Sequence, residues 1–208
     1  MRIQTPFEEK LNAISHGIGV LFGVVALLLM GNNDSGKSFW SFESVILYGL
    51  TIIVLFSAST LYHSVSSEKH KHYFRIIDHI SIYFLIAGTY TPVCLITLEG
   101  SRGWSLFYSV WSIAIIGTVL KLFFTGRFEL VSTLLYLVMG WLIVFDFTFL
   151  SETLHPNGLL FLFAGGMAYT LGIVFYIIEK IPYNHVIWHL FVLAGAICHF
   201  LMVFLYII

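Results

Sequence analysis

The sequence is short of charge. Of its 208 residues only 10% are Asp, Glu, Lys or Arg, 59% are hydrophobic, and the net charge is −1. A soluble domain carries roughly 25% charged residues and under half apolar ones. A water-soluble monomer of this size therefore has no way to bury the apolar remainder. The near-neutral balance removes an electrostatic nucleic-acid binder, and an aromatic content of 17% removes a disordered chain. Cysteine is nearly absent. Cys94 and Cys198 both sit in apolar runs and form neither a disulfide framework nor a CxxC metal site. A secretory signal is missing as well: MRIQTPFEEKLNAIS holds two glutamates and a proline and has no apolar core, so the first apolar run is expected to be retained. An integral membrane protein of several helices is the class that remains.

Long apolar runs are what the chain has instead, and mean hydropathy is +0.92. About 20 mostly apolar residues cross the ~30 Å hydrocarbon layer as a helix. Seven runs meet that length or nearly so: Ile14–Met30, Val45–His63, Ile76–Leu98, Trp104–Phe123, Leu130–Leu150, Leu159–Ile178 and Val186–Ile208. Short polar breaks such as GNNDSGKS, LEGSRG and EKIPYN separate them and carry turn residues. No linker divides the chain. The expectation is an all-α membrane protein, a single seven-helix domain over 1–208, with residues 1–13 as a short cytoplasmic segment. Placing the N-terminus in the cytoplasm puts Arg2, Lys10, Lys69, Lys71, Arg75, Lys121, Arg127 and Lys180 on that side, against Lys37 and Arg102 on the other. Lys and Arg accumulate in cytoplasmic loops, so the C-terminus is expected outside and the protein multi-pass in the cell (plasma) membrane.

Ionisable side chains within spans are costly and face the bundle interior by default. The informative ones are His16, His63, Asp78, His79, Asp146, His185, His189 and His199. In the expected topology His16, His63, Asp78, His185 and His189 lie near the cytoplasmic face, on four separate helices. His185 and His189 form H-x-x-x-H, and Ser59 and His63 form S-x-x-x-H; both spacings put two side chains on one helix face. Three imidazoles leave one tetrahedral position of a zinc ion open, which suits catalysis, whereas structural zinc is normally closed by four ligands. Imidazole also suits copper, iron and nickel. His199 lies about 15 Å further along its helix than His189, too far to share the ion, and reads as a helix–helix hydrogen bonder. Plainer roles stay open. Asp78 can cap the third helix or pair with Arg75, Ser59 can bond back to the Leu55 carbonyl, and Asn12 and His16 can be outer partners of the site or helix-entry residues. His70 and His72 read as a solvated loop, Asp146 as a group reaching interfacial water, and Gly165, Gly166 and Gly172 as close-packing positions.

The segments EEKLNAISHGIG, SASTLYHS, RIIDHISIYFLIAGTYTP and NHVIWHLFVLAGAICHF resemble the hemolysin III branch of the progestin and adipoQ receptor family, in order and over nearly the whole chain. The resemblance implies seven helices with a cytoplasmic N-terminus and a zinc ion bound by His63, His185 and His189. It places the family's second-helix serine at Ser59 and its third-helix aspartate at Asp78. The same fold occurs in a wider group of membrane hydrolases that includes alkaline ceramidases. By that analogy the expected function is zinc-dependent hydrolysis of a lipid amide or ester near the cytoplasmic leaflet, with Asp78 and Ser59 catalytic and an acyl chain or fatty acid held in the bundle. The competing reading is a non-enzymatic sensor of membrane state, or a membrane-homeostasis protein, with structural zinc. A pore is disfavoured, because no ring of carboxylates or polar lumen crosses the bilayer.

Overall fold

Thr5 opens the first helix with a capping box: its hydroxyl accepts from the Glu8 amide at 3.2 Å, and the Glu8 carboxylate accepts from the Thr5 amide at 2.9 Å. Pro6 follows, its missing N–H costing nothing at that position. In the computed structural model, which describes residues 4–208, α1 (Pro6–Asn33) therefore begins eight residues before the expected apolar span. Arg2, counted above in the charge census, lies outside the described residues. The following helices are α2 (Ser41–Ser64), α3 (Glu68–Pro92) running into a π turn at Val93–Thr97, and α4 (Gly103–Phe124). Next come α5 (Glu129–Gly140), a 3₁₀ turn (Leu142–Asp146) and α6 (Phe147–Thr153), which share one span. α7 (Pro156–Ile177) and α8 (Asn184–Met202), extended by a π turn at Val203–Ile207, complete the chain. Seven helical spans long and apolar enough to cross a membrane are thus present among the described residues, in the expected order and without strands.

Helix ends depart from the apolar runs because hydropathy reports only the lipid-soluble middle of a span. α3 starts at Glu68, not near Ile76, so His70 and His72 sit exposed on its first turns instead of in a loop. The fifth span is not one helix. It breaks after Gly140, and Tyr90 of α3 serves the break: its hydroxyl donates to the Gly140 carbonyl and accepts from the Ile143 amide, both at 2.9 Å. Backbone groups freed at membrane depth need such internal partners. Asp146 also departs from expectation. It is buried and accepts from the Ser101 hydroxyl and the Arg102 amide, both at 2.9 Å, so it ties the fifth span to the start of α4 rather than reaching water.

Helices pack chiefly on their chain neighbours, α1 on α2, α2 on α3 and α7 on α8, while α1 against α8 closes the bundle. Small residues set the close approaches. A Cβ at Gly19 would meet the Phe56 ring at 2.4 Å, and one at Gly165 would meet the His199 ring at 2.3 Å. Gly172 lies against Trp188 and Phe191, and Gly166 only grazes Trp141. His199 bridges α8 to α7 through Nε2 and the Leu162 carbonyl at 3.2 Å, the helix–helix role expected of it. Apolar side chains such as Leu21, Ile115, Phe145, Leu160 and Leu171 point outward, as in a bundle solvated by lipid.

Candidate metal centre

α2 delivers His63 from its last turn, and α8 delivers His185 and His189 from its first two turns. All three imidazoles are buried, and each offers one nitrogen within 4.8 Å of the others. Ring centroids lie 5.1 Å apart for His63 and His185, 4.9 Å for His63 and His189, and 4.6 Å for His185 and His189. Among the described residues this is the one group of three or more His, Cys, Asp or Glu side chains close enough to hold a metal ion. The donor set fits zinc or another imidazole-seeking ion. His63 Nε2 is fully buried and has no partner among the described residues, which leaves its lone pair for such an ion.

The rear faces of two rings are engaged by α1. His63 Nδ1 lies 2.7 Å from Glu9 Oε2, and Lys71 Nζ donates to Glu9 Oε1 at 2.7 Å. His189 Nδ1 lies 3.3 Å from Ser15 Oγ, whose own proton goes to the Asn12 carbonyl at 2.9 Å. The sequence reading did not single out Glu9 or Ser15. Glu9 stands four residues after Thr5, where an acidic residue reads as a helix-entry charge, and a serine seldom draws notice. Of the two outer candidates it did name, His16 stacks on His189 with centroids 3.6 Å apart and an interplanar angle of 8°. The Asn12 side chain instead hydrogen-bonds Gln4, and Asn12 bears on His189 through its backbone carbonyl, which also takes the Ser15 hydroxyl.

Asp78 and Ser59 stand outside the histidine group but line the same cavity as His185 and His189. The Asp78 carboxyl faces the Ser59 hydroxyl. Arg75, weighed above as its partner, pairs instead with Glu129 at 3.3 Å. Glu129 is a second feature the sequence reading missed. It also takes Lys121 at 2.7 Å and His79 at 3.4 Å, joining α3, α4 and α5 beside the site, and Lys121 is almost wholly buried in α4. The cavity has a volume of about 130 Å³ and runs between α3, α5, α7 and α8 past Ile82, Ile86, Leu137 and Val192. It shares Thr89, Tyr90, Trp141 and His199 with a neighbouring chamber of about 330 Å³ that runs on past Ile143, Leu162 and Met202. One end of this space is imidazole and carboxyl; the rest is largely apolar.

Residues 4–200 match the family described as Haemolysin-III related. The chain is 44% identical to Hemolysin-3 of Bacillus cereus over 202 residues, covering 97% of this chain and 92% of that protein. It is 46% identical to the Hemolysin-3 homolog of Bacillus subtilis (strain 168) over 201 residues, covering 96% and 94% respectively. It is 29% identical to the Monocyte to macrophage differentiation factor of Homo sapiens over 209 residues, covering 98% and 86%.

Proposed function

Because the chain belongs to the haemolysin III-related family of integral, multi-pass membrane proteins, and its histidine group opens on an apolar chamber, we propose that it is a zinc-dependent hydrolase of a lipid amide or ester. The single observation that carries this reading is the company the histidines keep. Asp78 and Ser59 share a cavity wall with His185 and His189, and the cavity continues into space suited to an acyl chain. His63, His185 and His189 would hold the ion, which when bound polarises a carbonyl and acidifies water.

The protein's own groups supply the remainder. Ile82, Ile86, Leu137 and Val192 sequester the acyl chain and keep bulk water from the scissile carbonyl. Asp78 accepts a proton from the water that adds to the carbonyl carbon, and returns it to the nitrogen or oxygen that leaves as the C–N or C–O bond breaks. A carboxylic acid and an amine or alcohol result. Ser59 hydrogen-bonds Asp78 or the substrate oxygen and keeps the carboxyl turned toward the cavity. The Lys/Arg bias supports a cytoplasmic N-terminus, which opens the site to the inner leaflet.

The test is purified full-length protein incubated with ceramides, N-acyl amides and phospholipids of the inner leaflet, followed by mass spectrometry of the products. Cleavage of one class, abolished by a chelator and restored by zinc, is expected. Metal-loaded protein that cleaves none of them overturns the enzyme reading in favour of a membrane-state sensor with structural zinc.

A further inference from the structure

Two of the three clustered histidines are gripped from behind by α1, a helix that contributes no ligand itself. Proton accounting fixes what each grip does. Glu9 is a carboxylate that also receives Lys71, so at the 2.7 Å contact it accepts and His63 Nδ1 donates. The Ser15 hydroxyl proton, placed on the Asn12 carbonyl at 2.9 Å, leaves Ser15 Oγ to accept from His189 Nδ1 at 3.3 Å, and the Asn12 carbonyl is a second acceptor for the same ring. Both imidazoles thereby carry their proton on Nδ1 and present the Nε2 lone pair. At His63 that nitrogen is buried with no partner among the described residues, on the ring edge away from Glu9. The side chain of His63 is only 1% exposed, so the donor end of the bond is shielded from solvent, while Glu9 is 21% exposed.

We propose that Glu9 is a positioning residue of the metal centre: its carboxylate selects the His63 tautomer, fixes the ring's direction and raises its donor strength, while Lys71 of α3 holds Glu9 in place. The inference rests on the reading of the histidines as a metal site. It extends that reading to a carboxylate–histidine–metal relay spanning α1, α2 and α3. Such partners typically change metal affinity about 10–100-fold when lost. Serine is the weaker anchor, because a hydroxyl accepts a neutral hydrogen bond where Glu9 accepts a charge-assisted one.

The experiment uses the whole chain in detergent, stripped of metal and titrated with Co²⁺ and, in competition with a chromophoric chelator, with Zn²⁺. Wild type is expected to bind one ion with the visible absorption of tetrahedral cobalt. Glu9→Gln keeps the shape of the side chain but not its charge; it is expected to bind about 10–100-fold more weakly, with a displaced cobalt spectrum. Lys71→Met is expected to move both readouts in the same direction by less. Melting of the metal-free proteins separates positioning from a merely structural tie between α1 and its neighbours. A structural tie lowers the midpoint of the metal-free variant and leaves the cobalt spectrum unchanged. Wild-type affinity and spectrum in Glu9→Gln overturn the proposal while the metal site stands; absence of metal binding in wild type overturns the metal-site reading itself. If Glu9→Gln does not fold, Lys71→Met and Ser15→Ala decide: unaltered cobalt spectra in both overturn the proposal.

Discussion

In the proposed mechanism Asp78 and the three histidines divide two jobs that a metal-centred site combines, namely holding an ion and moving a proton. His185→Ala removes one of three convergent donors, and elemental analysis of the purified variant is expected to show zinc far below one per chain. Asp78→Asn keeps the volume and part of the hydrogen bonding, so the expected outcome is near-normal zinc with hydrolysis lowered about 10²–10⁴-fold, the usual worth of a general acid–base group. Ser59→Ala should cost less, since water replaces a hydroxyl. The measurement pairs metal content with lipid cleavage on the same samples. Loss of zinc in Asp78→Asn would make that carboxyl a ligand and the site a closed, structural one. The convergence of the three histidines was legible in the sequence because helical spacing and matched depth pointed to it, and the family resemblance named the same three. Glu9 and Ser15 were not, since their meaning comes from a helix that meets His63 and His189 only after the bundle closes.

At the scale of elements, the charged cluster on Glu129 ties α3, α4 and α5 where the packing of α5 on its neighbours is thin. Glu129→Gln leaves Lys121 buried without its counter-charge. Breaking such a pair from one side costs about 3–5 kcal/mol, so the variant is expected to melt well below wild type in detergent. The double change Glu129→Gln with Lys121→Met should recover part of the loss, because it removes the most deeply buried charge of the cluster while Arg75 and His79 still lack the carboxylate. This cluster was invisible in the sequence: Lys121 and Glu129 stand at the edges of two apolar runs and read as loop-proximal charges. The break after Gly140 was equally hidden, because hydropathy is as high through the 3₁₀ turn as in a straight helix, and Tyr90, which stabilises the break, lies fifty positions upstream. The seven spans themselves were legible, since lipid demands an unbroken apolar stretch for each of them.

For the molecule as a whole, the charge bias gives the testable orientation. Reporter fusions at the two termini are expected to fall on opposite sides of the membrane, with the N-terminus cytoplasmic; both termini on one side would defeat that arrangement. The chain also closes on itself: α1 meets α8, and the histidine group draws one member from the second span and two from the last. More than a hundred residues separate His63 from His185. Spans that enter the bilayer one after another can pair locally as hairpins early, but bringing distant ones together is entropically slower. The imidazole cluster is therefore expected to assemble late, once α8 has joined the bundle. A nascent chain halted after α7 carries a single member of the trio, so any property that depends on the cluster reports that α8 has been made and has closed on α1.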